Sequence, residues 1–326
     1  MVLNGRVDAT ARVSEATRAR VLRAIEQLGY EPDPVARRLV GRDNRLLGIY
    51  TFDARFPTDT RDFYYQFLIG VEEACEELGY DLLLFTSITS DRSGRVYDGG
   101  INRLRLADGS ILLGRDDDPA DWSRLLADRY PFVFFGRRAD VDGQPVPYVT
   151  GDYVAAAAEL VGRLLDAGHR QIRMLINDPG IESSQDLIAG FFQAFETRGL
   201  PADPRWEHEV KTGTLPDAVV REFTDGTATA AVVRDLGTLE RFEQALGKAG
   251  LQIPRDVSVG MLGGWRFDVS RRDWSGFEVP RRQIAREAVT WLVERLERGP
   301  DFAPARTLLP CVERPGETIA APRDGR

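Results

Sequence analysis

Two successive series of short apolar runs, each alternating with segments of helical period, constrain this chain more than any other feature. LLGIYTF (46–52), DLLLFTS (81–87), GSILLG (109–114) and PFVFFG (131–136) make the first series; QIRMLIN (171–177), TAAVV (229–233) and DVSVGML (256–262) make the second. Continuous runs of this length are the pattern of strands buried on both faces, and parallel strands need crossovers long enough to hold a helix. Such helices are expected over 62–78, stopped by Gly79, over 153–167, stopped by Gly168, and over 183–198 and 236–249. The chain therefore reads as two similar doubly wound α/β lobes in tandem.

The stretch before them belongs to a different kind of structure. In VSEATRARVLRAIEQLGYEPDPVARRLVG (13–41), Ser14 is a suitable N-cap, Val21, Leu22, Ile25 and Leu28 recur on one helical face, and Gly29 supplies the stop. Pro32 blocks continuation, and Asp33–Pro34 restarts a helix of about two turns that ends at Gly41. Helices under about 12 residues are marginal in water, so this one is expected to order only against a partner.

Charge separates the two regions. The net charge is −8, yet residues 1–45 hold nine arginines and six acidic residues, a net of +3 that leaves −11 for the rest. Phosphate contacts are expected from the basic end alone. Cys75 and Cys311 are too few for a disulfide framework, and no metal-ligand spacing occurs, so neither metal nor cofactor is expected. No apolar run approaches the 18 residues of a membrane span and no signal peptide is recognisable, which gives a cytoplasmic protein with no membrane partner. Enzymatic motifs are missing as well. His169 and His208 are the only histidines, neither lies near a G-x-S-x-G elbow, and no Walker loop or G-x-G-x-x-G follows a strand. His169, in a Gly-His turn, reads as structural, and a non-enzyme is expected.

The order VLNG, VSEATRARVLRAIEQLGY, PDPVARRL resembles the end of the DNA-binding headpiece and the hinge helix of the LacI/GalR family of bacterial transcription regulators. GR (136–137), DAGHRQI (166–172), IAGFFQAF (188–195) and IPRDVSVGML (253–262) extend the resemblance over about residues 2–322. It implies two periplasmic-binding-protein-like subdomains joined by three crossings, preceded by a headpiece remnant and hinge helix over 1–44. The first subdomain is expected over 45–150 and 277–305, the second over 151–276 and 306–326. Family members begin with a helix-turn-helix, and its first two helices would lie before Met1. The resemblance therefore implies operator DNA as a partner once those helices are restored, and a homodimer paired through the helix at 62–78 and the segment 102–106. Ser14, Thr17, Arg18, Val35, Ala36, Arg37 and Leu39 would face DNA, with Leu39 as the wedge in the minor groove. A sensor of the same fold with no DNA role stays open as the second reading.

The resemblance also implies a small-molecule effector, a sugar or sugar derivative, held at the carboxyl ends of the strands between the lobes. Phe52, Asp53, Tyr64, Arg137, Gln185, Asp186, Arg234, Asp235 and Trp265 are the expected contacts. Departures from the family's sugar-binding pattern stand at Leu187, Arg234–Asp235 and Gly263–Gly264. Two polar groups are lost there and a cation is gained, so an anionic ligand held by Arg234, or a cleft that answers to no ligand, stays open as an alternative. Asp235 is expected to cap the helix starting near Leu236.

Overall fold

The computed structural model describes residues 14–28, 44–52, 61–85, 95–114, 118–211, 214–264 and 272–323. The chain divides into two compact units, Met1–Arg45 and Leu46–Arg326. In the first, helix α1 (Glu15–Leu28) starts as the sequence indicates: Ser14 Oγ accepts the Thr17 backbone N–H at 3.3 Å and hydrogen-bonds Thr17 Oγ1 at 2.9 Å. The helix expected over 35–40, with Val35, Ala36, Arg37 and Leu39, lies outside the described residues, as do Asp53 and Trp265.

The second unit contains two six-stranded sheets. Strands β1 (Leu46–Thr51), β2 (Asp81–Phe85), β5 (Gly109–Leu113), β6 (Phe132–Phe135), β7 (Tyr148–Gly151) and β13 (Arg306–Leu309) form the first, in the order β2-β1-β5-β6-β7-β13 and all parallel. Strands β8 (Ile172–Ile176), β9 (Glu207–Glu209), β10 (Ala230–Val233), β11 (Ser258–Gly264), β12 (Ser275–Glu278) and β14 (Val312–Arg314) form the second, in the order β9-β8-β10-β11-β12-β14 with only β14 antiparallel. Both sheets follow one topology: the second strand of the lobe lies outside the first, and the later strands step away on the other side. Strand order therefore reverses between β1 and β5 in one lobe and between β8 and β10 in the other, the switch points at which such sheets open a crevice. A short hairpin, β3 (Tyr97–Asp98) and β4 (Ile101–Asn102), is the remaining sheet among the described residues.

Helices α2 (Arg61–Leu78) and α8 (Arg281–Arg298) cover one face of the first sheet, and α3 (Pro119–Ala127) the other. On the second sheet, α4 (Tyr153–Asp166) and α5 (Glu182–Glu196) cover one face, and α6 (Asp217–Thr224) and α7 (Leu236–Lys248) the other. Alternation within β1 shows why these strands are apolar throughout: Leu47 and Ile49 face α2, while Tyr50 joins the aromatic core that includes Trp122 of α3. The helix pairs approach closely through glycine. A Cβ at Gly70 of α2 would lie 2.3 Å from the Arg282 carbonyl of α8, and one at Gly190 of α5 would lie 2.3 Å from the Val154 carbonyl of α4.

Three crossings join the lobes, and the strand pairings put two of them away from the expected boundaries. Strand β12 pairs with β11, so Phe277 and Glu278 belong to the second lobe, and the return into the first falls between Glu278 and Arg281. Strand β13 pairs with β7, so residues 306–309 belong to the first lobe, and the last crossing is at Pro310–Cys311. The sequence hid both because a strand at a crossing is short and takes its sheet from its pairing partner. The crossings run side by side: a Cβ on Gly151 would meet Cys311 Sγ at 3.1 Å and Val279 Cγ1 at 3.2 Å.

His169 is structural. It is 2 % exposed, and its Nε2 meets the Ala320 carbonyl at 2.8 Å and Ser258 Oγ at 2.9 Å, while Nδ1 meets Thr229 Oγ1 at 2.8 Å. These bonds, with Thr318 Oγ1 donating to the Val259 carbonyl at 2.6 Å, fasten the C-terminal segment to the second sheet. No helix among the described residues is long and apolar enough to cross a membrane.

Candidate functional site

Charged side chains bring the carboxyl ends of the two sheets together. From the first lobe, the turn after β6 presents Arg137 and Arg138. From the second, the start of α5 presents Glu182 and Asp186, four residues apart and so on one helical face. Arg137 Nε lies 3.0 Å from both carboxylate oxygens of Asp186, and its Nη2 lies 2.7 Å from Oδ1. This is a forked, charge-assisted contact, the stronger class of hydrogen bond. The bond to Asp186 raises the pKa of Arg137 above its ordinary value, with burial opposing. Arg138 Nη1 donates to Glu182 Oε2 at 2.8 Å.

Arg138 is also fixed within its own lobe. Its Nη2 donates to the Gly114 carbonyl at 3.1 Å, and its guanidinium lies 4.0 Å over the ring of Phe134. Gly114 follows β5 directly, so this arginine ties the carboxyl ends of two neighbouring strands before it reaches across the cleft.

Arg234 follows β10 and turns to the start of α5 from within the second lobe. Its Nη1 donates to the Asn177 carbonyl at 3.1 Å and to Ser184 Oγ, and its Nη2 donates to Ser183 Oγ at 2.9 Å. Three guanidinium groups thus converge on the first two turns of α5. Asp235, beside Arg234, caps α7 as the sequence indicates: its Oδ1 accepts the Thr238 backbone N–H at 2.9 Å.

Other expected contacts are placed elsewhere. Phe52 is 1 % exposed, with its ring 5.2 Å from those of Tyr50 and Trp122; it belongs to the aromatic core of the first lobe and has no surface to offer a ligand. Tyr64, 9 % exposed, is part of the core beneath α2. Both side chains are buried for one reason: an aromatic at a strand end or in a first helical turn is drawn into the apolar layer when its neighbours there are apolar. Gln185 is exposed and donates to the Gly180 carbonyl at 3.3 Å, within its own turn. Arg137 and Asp186 are brought together as direct partners. Sequence reasoning missed Arg138, Glu182, Ser183 and Ser184; the available signals were the Arg137–Arg138 pair after an apolar strand and the acids of α5 spaced by four.

Comparison with known proteins matches residues 54–215 to the model described as periplasmic binding proteins and sugar binding domain of LacI family, and residues 161–318 to the periplasmic binding protein-like domain. The chain is 34 % identical over 288 residues, 80 % of this chain and 77 % of the relative, to the HTH-type transcriptional regulator Rv3575c of Mycobacterium tuberculosis. It is 28 % identical over 319 residues, 94 % of this chain and 90 % of the relative, to the HTH-type transcriptional regulator CelR of Thermobifida fusca. A solved CelR–cellobiose complex shares the fold at a TM-score of 0.71 and 24 % identity, covering 97 % of this chain and 94 % of that one.

Proposed function

Because this chain belongs to the LacI family of transcriptional regulators, we propose that it is an effector-responsive regulator, most naturally a repressor, whose cleft takes a neutral, hydroxyl-rich ligand and whose partner is operator DNA. The observation that carries the effector class is the composition of the cleft. Arg137, Arg138 and Arg234 offer only donors, whereas Glu182 and Asp186 offer only acceptors. A hydroxyl both donates and accepts, so a saccharide inserted between the lobes can satisfy both sets. An anion would serve the arginines but would approach two carboxylates, which disfavours it. Cellobiose, present in the solved CelR complex, is of the same chemistry.

Thermal shift with cellobiose, ribose and a panel of neutral sugars, sugar acids and sugar phosphates tests this. A ligand at 100 times its Kd stabilises the folded state by about 2.7 kcal/mol, so a neutral saccharide is expected to raise Tm by several degrees. A shift by acids or phosphates alone, abolished by Arg234→Ala, would overturn the neutral reading in favour of an anion at Arg234.

The regulator is a cytoplasmic, non-enzymatic homodimer in this reading. Tyr65 and Leu78 on α2, Leu82 and Leu84 on β2, and Ile101 and Leu106 near the hairpin are large apolar residues at least 37 % exposed, and α2 and β2 pack side by side. Such a surface fits a second copy of the chain. Sedimentation is expected to show a dimer that Leu84→Asp dissociates. Ser14, Thr17, Arg18, Val35, Ala36, Arg37 and Leu39 would contact DNA, and Leu39→Ala is expected to weaken duplex binding while leaving the effector's thermal shift unchanged. A full-length protein that binds effector and dimerises but gives no duplex retention would instead be a sensor without a DNA role.

A further inference from the structure

The contacts between Arg137 and Asp186 and between Arg138 and Glu182 join the lobes through groups of the chain itself, at a place where they oppose separation with leverage. The crossings leave the sheets at β7, β12 and β13. Asp186 and Glu182 ride on α5, which follows β8, and β8 is separated from β12 by β10 and β11. At ~4.8 Å per strand, that is roughly 14 Å from the crossing. A rotation of about 10° there would carry the acids roughly 2–3 Å, enough to part contacts now at 2.7–3.0 Å. The pairs can therefore exist in one lobe arrangement and not in a more open one.

Both sides are held ready for each other. Arg138 is fixed by the Gly114 carbonyl and the Phe134 ring, and only 15 % of its side chain is exposed. Glu182 and Asp186 share one face of a regular helix. Arg138 therefore has little side-chain freedom left to lose when its pair forms, and such loss is the usual reason that exposed ion pairs contribute so little.

We propose that Arg137–Asp186 and Arg138–Glu182 are an electrostatic latch on the cleft, which holds the lobes together and makes access to the cleft depend on ionic strength. The proposal rests on the reading of the cleft as the effector site only for what the latch guards. The latch itself is a property of the protein alone.

The test is an interlobe distance in the full-length chain. Spin labels are attached through Ala127→Cys on α3 and Gln193→Cys on α5, both exposed, in a Cys311→Ser background, and the distance distribution is read by pulsed electron resonance without added sugar. Each pair lost should lower the ratio of short to long distances roughly fivefold, the equivalent of about 1 kcal/mol. Glu182→Gln with Asp186→Asn should therefore shift it roughly 25-fold. Raising the salt from 0.05 to 0.5 M should move the unmodified pairs the same way and leave that double variant unmoved. The exchange Arg137→Asp with Asp186→Arg should restore the short distance.

Superimposable distributions for the parent and the double variant at both salt concentrations would overturn the latch, as would an exchanged variant of normal Tm that stays open. If the exchanged variant does not fold, the salt comparison decides alone. Cellobiose thermal shift, measured on the same proteins, keeps the two readings apart: no shift with an intact latch rejects the sugar, and a shift with unchanged distances rejects the latch.

Discussion

Gly190→Ala adds one methyl group to the closest helix contact in the second lobe, and its cost can be worked from the surrounding atoms. The new Cβ would lie 2.3 Å from the Val154 carbonyl oxygen, 2.8 Å from Ala157 Cβ and 3.1 Å from the Ala158 nitrogen. Ordinary contact begins at 3.4 Å, so α5 has to retreat from α4 by about 1 Å. None of the three atoms is the end of a flexible side chain, which leaves movement of the helices as the relief. Overpacking of a core costs ~1–3 kcal/mol, and rigid backbone obstruction places this site near the upper end. Helix propensity works the other way, since alanine is favoured over glycine inside a helix by about 1 kcal/mol. The net loss is then ~2 kcal/mol, or roughly 4–8 °C in Tm at ~2–4 °C per kcal/mol for a domain of this size class. Gly70→Ala, facing the Arg282 carbonyl at 2.3 Å and Ala285 Cβ at 2.8 Å, should behave alike. Gly247 in α7 is the control: nothing lies within 4 Å of its Cβ position, so Gly247→Ala should raise Tm by ~2–4 °C. Scanning calorimetry of the three variants settles the matter, and the reasoning fails if Gly190→Ala and Gly247→Ala move Tm in the same direction.

The remaining expectations concern buried polar groups. The Tyr50 hydroxyl is buried with no hydrogen-bond partner, and burial raises its pKa to about 12, so Tyr50→Phe should leave stability unchanged or raise it by up to ~1 kcal/mol in urea denaturation. A loss above that range would mean that the hydroxyl has found a partner. Burial lowers the pKa of His169 below its ordinary 6.5, and that of His208 in the same direction, so the folded state binds these protons less readily than the unfolded chain. Their neutral forms contribute stability that is complete above pH 6.5 and is lost as pH falls below it toward the lowered values; His169→Gln should flatten that slope in Tm measured from pH 7.5 to 5. Asp235→Ala removes the cap on α7 and should cost ~1 kcal/mol, whereas Asp235→Asn should retain most of it; equal losses would mean that Asp235 stabilises by charge.

Most of the fold was legible because it is written in local periods. The apolar runs at 46–52, 109–114 and 171–177 became β1, β5 and β8 almost residue for residue, and Gly79 and Gly168 end helices where their lack of a side chain permits a left-handed turn. Strands β9, β13 and β14 were not legible. Their patterns mix charge with short apolar stretches, as in EHE and VER, because each is the outermost strand of its sheet or pairs near a crossing, where one side is open to water. Their sheet membership is a property of partners far away in the chain, which is why the boundaries at Glu278 and Leu309 moved.

The charged residue types at the carboxyl ends of the strands were legible, and their pairings were not. Arg137, Asp186 and Arg234 were identifiable as polar groups after strands or at the start of a helix, since the carboxyl ends of parallel strands are where side chains escape the core. That Arg137 spends its donors on Asp186, 49 residues away in sequence, could not be read, because the distance between them is set by how the two lobes stand on their crossings. The aromatic residues follow a different rule, set within one lobe. Phe52 and Tyr64 were chosen for what they could do to a sugar ring, but a ring is retained by whichever apolar layer can bury it, and Trp122 and Phe134, 5.4 Å apart, provide that layer beside Phe52. Charged groups escape this pull, since burying them unpaired costs more than apolar contact returns. The carboxyl ends of the strands therefore carry charges, and these are matched across the two lobes, so the same polar residues proposed to receive a ligand also bind the lobes to each other.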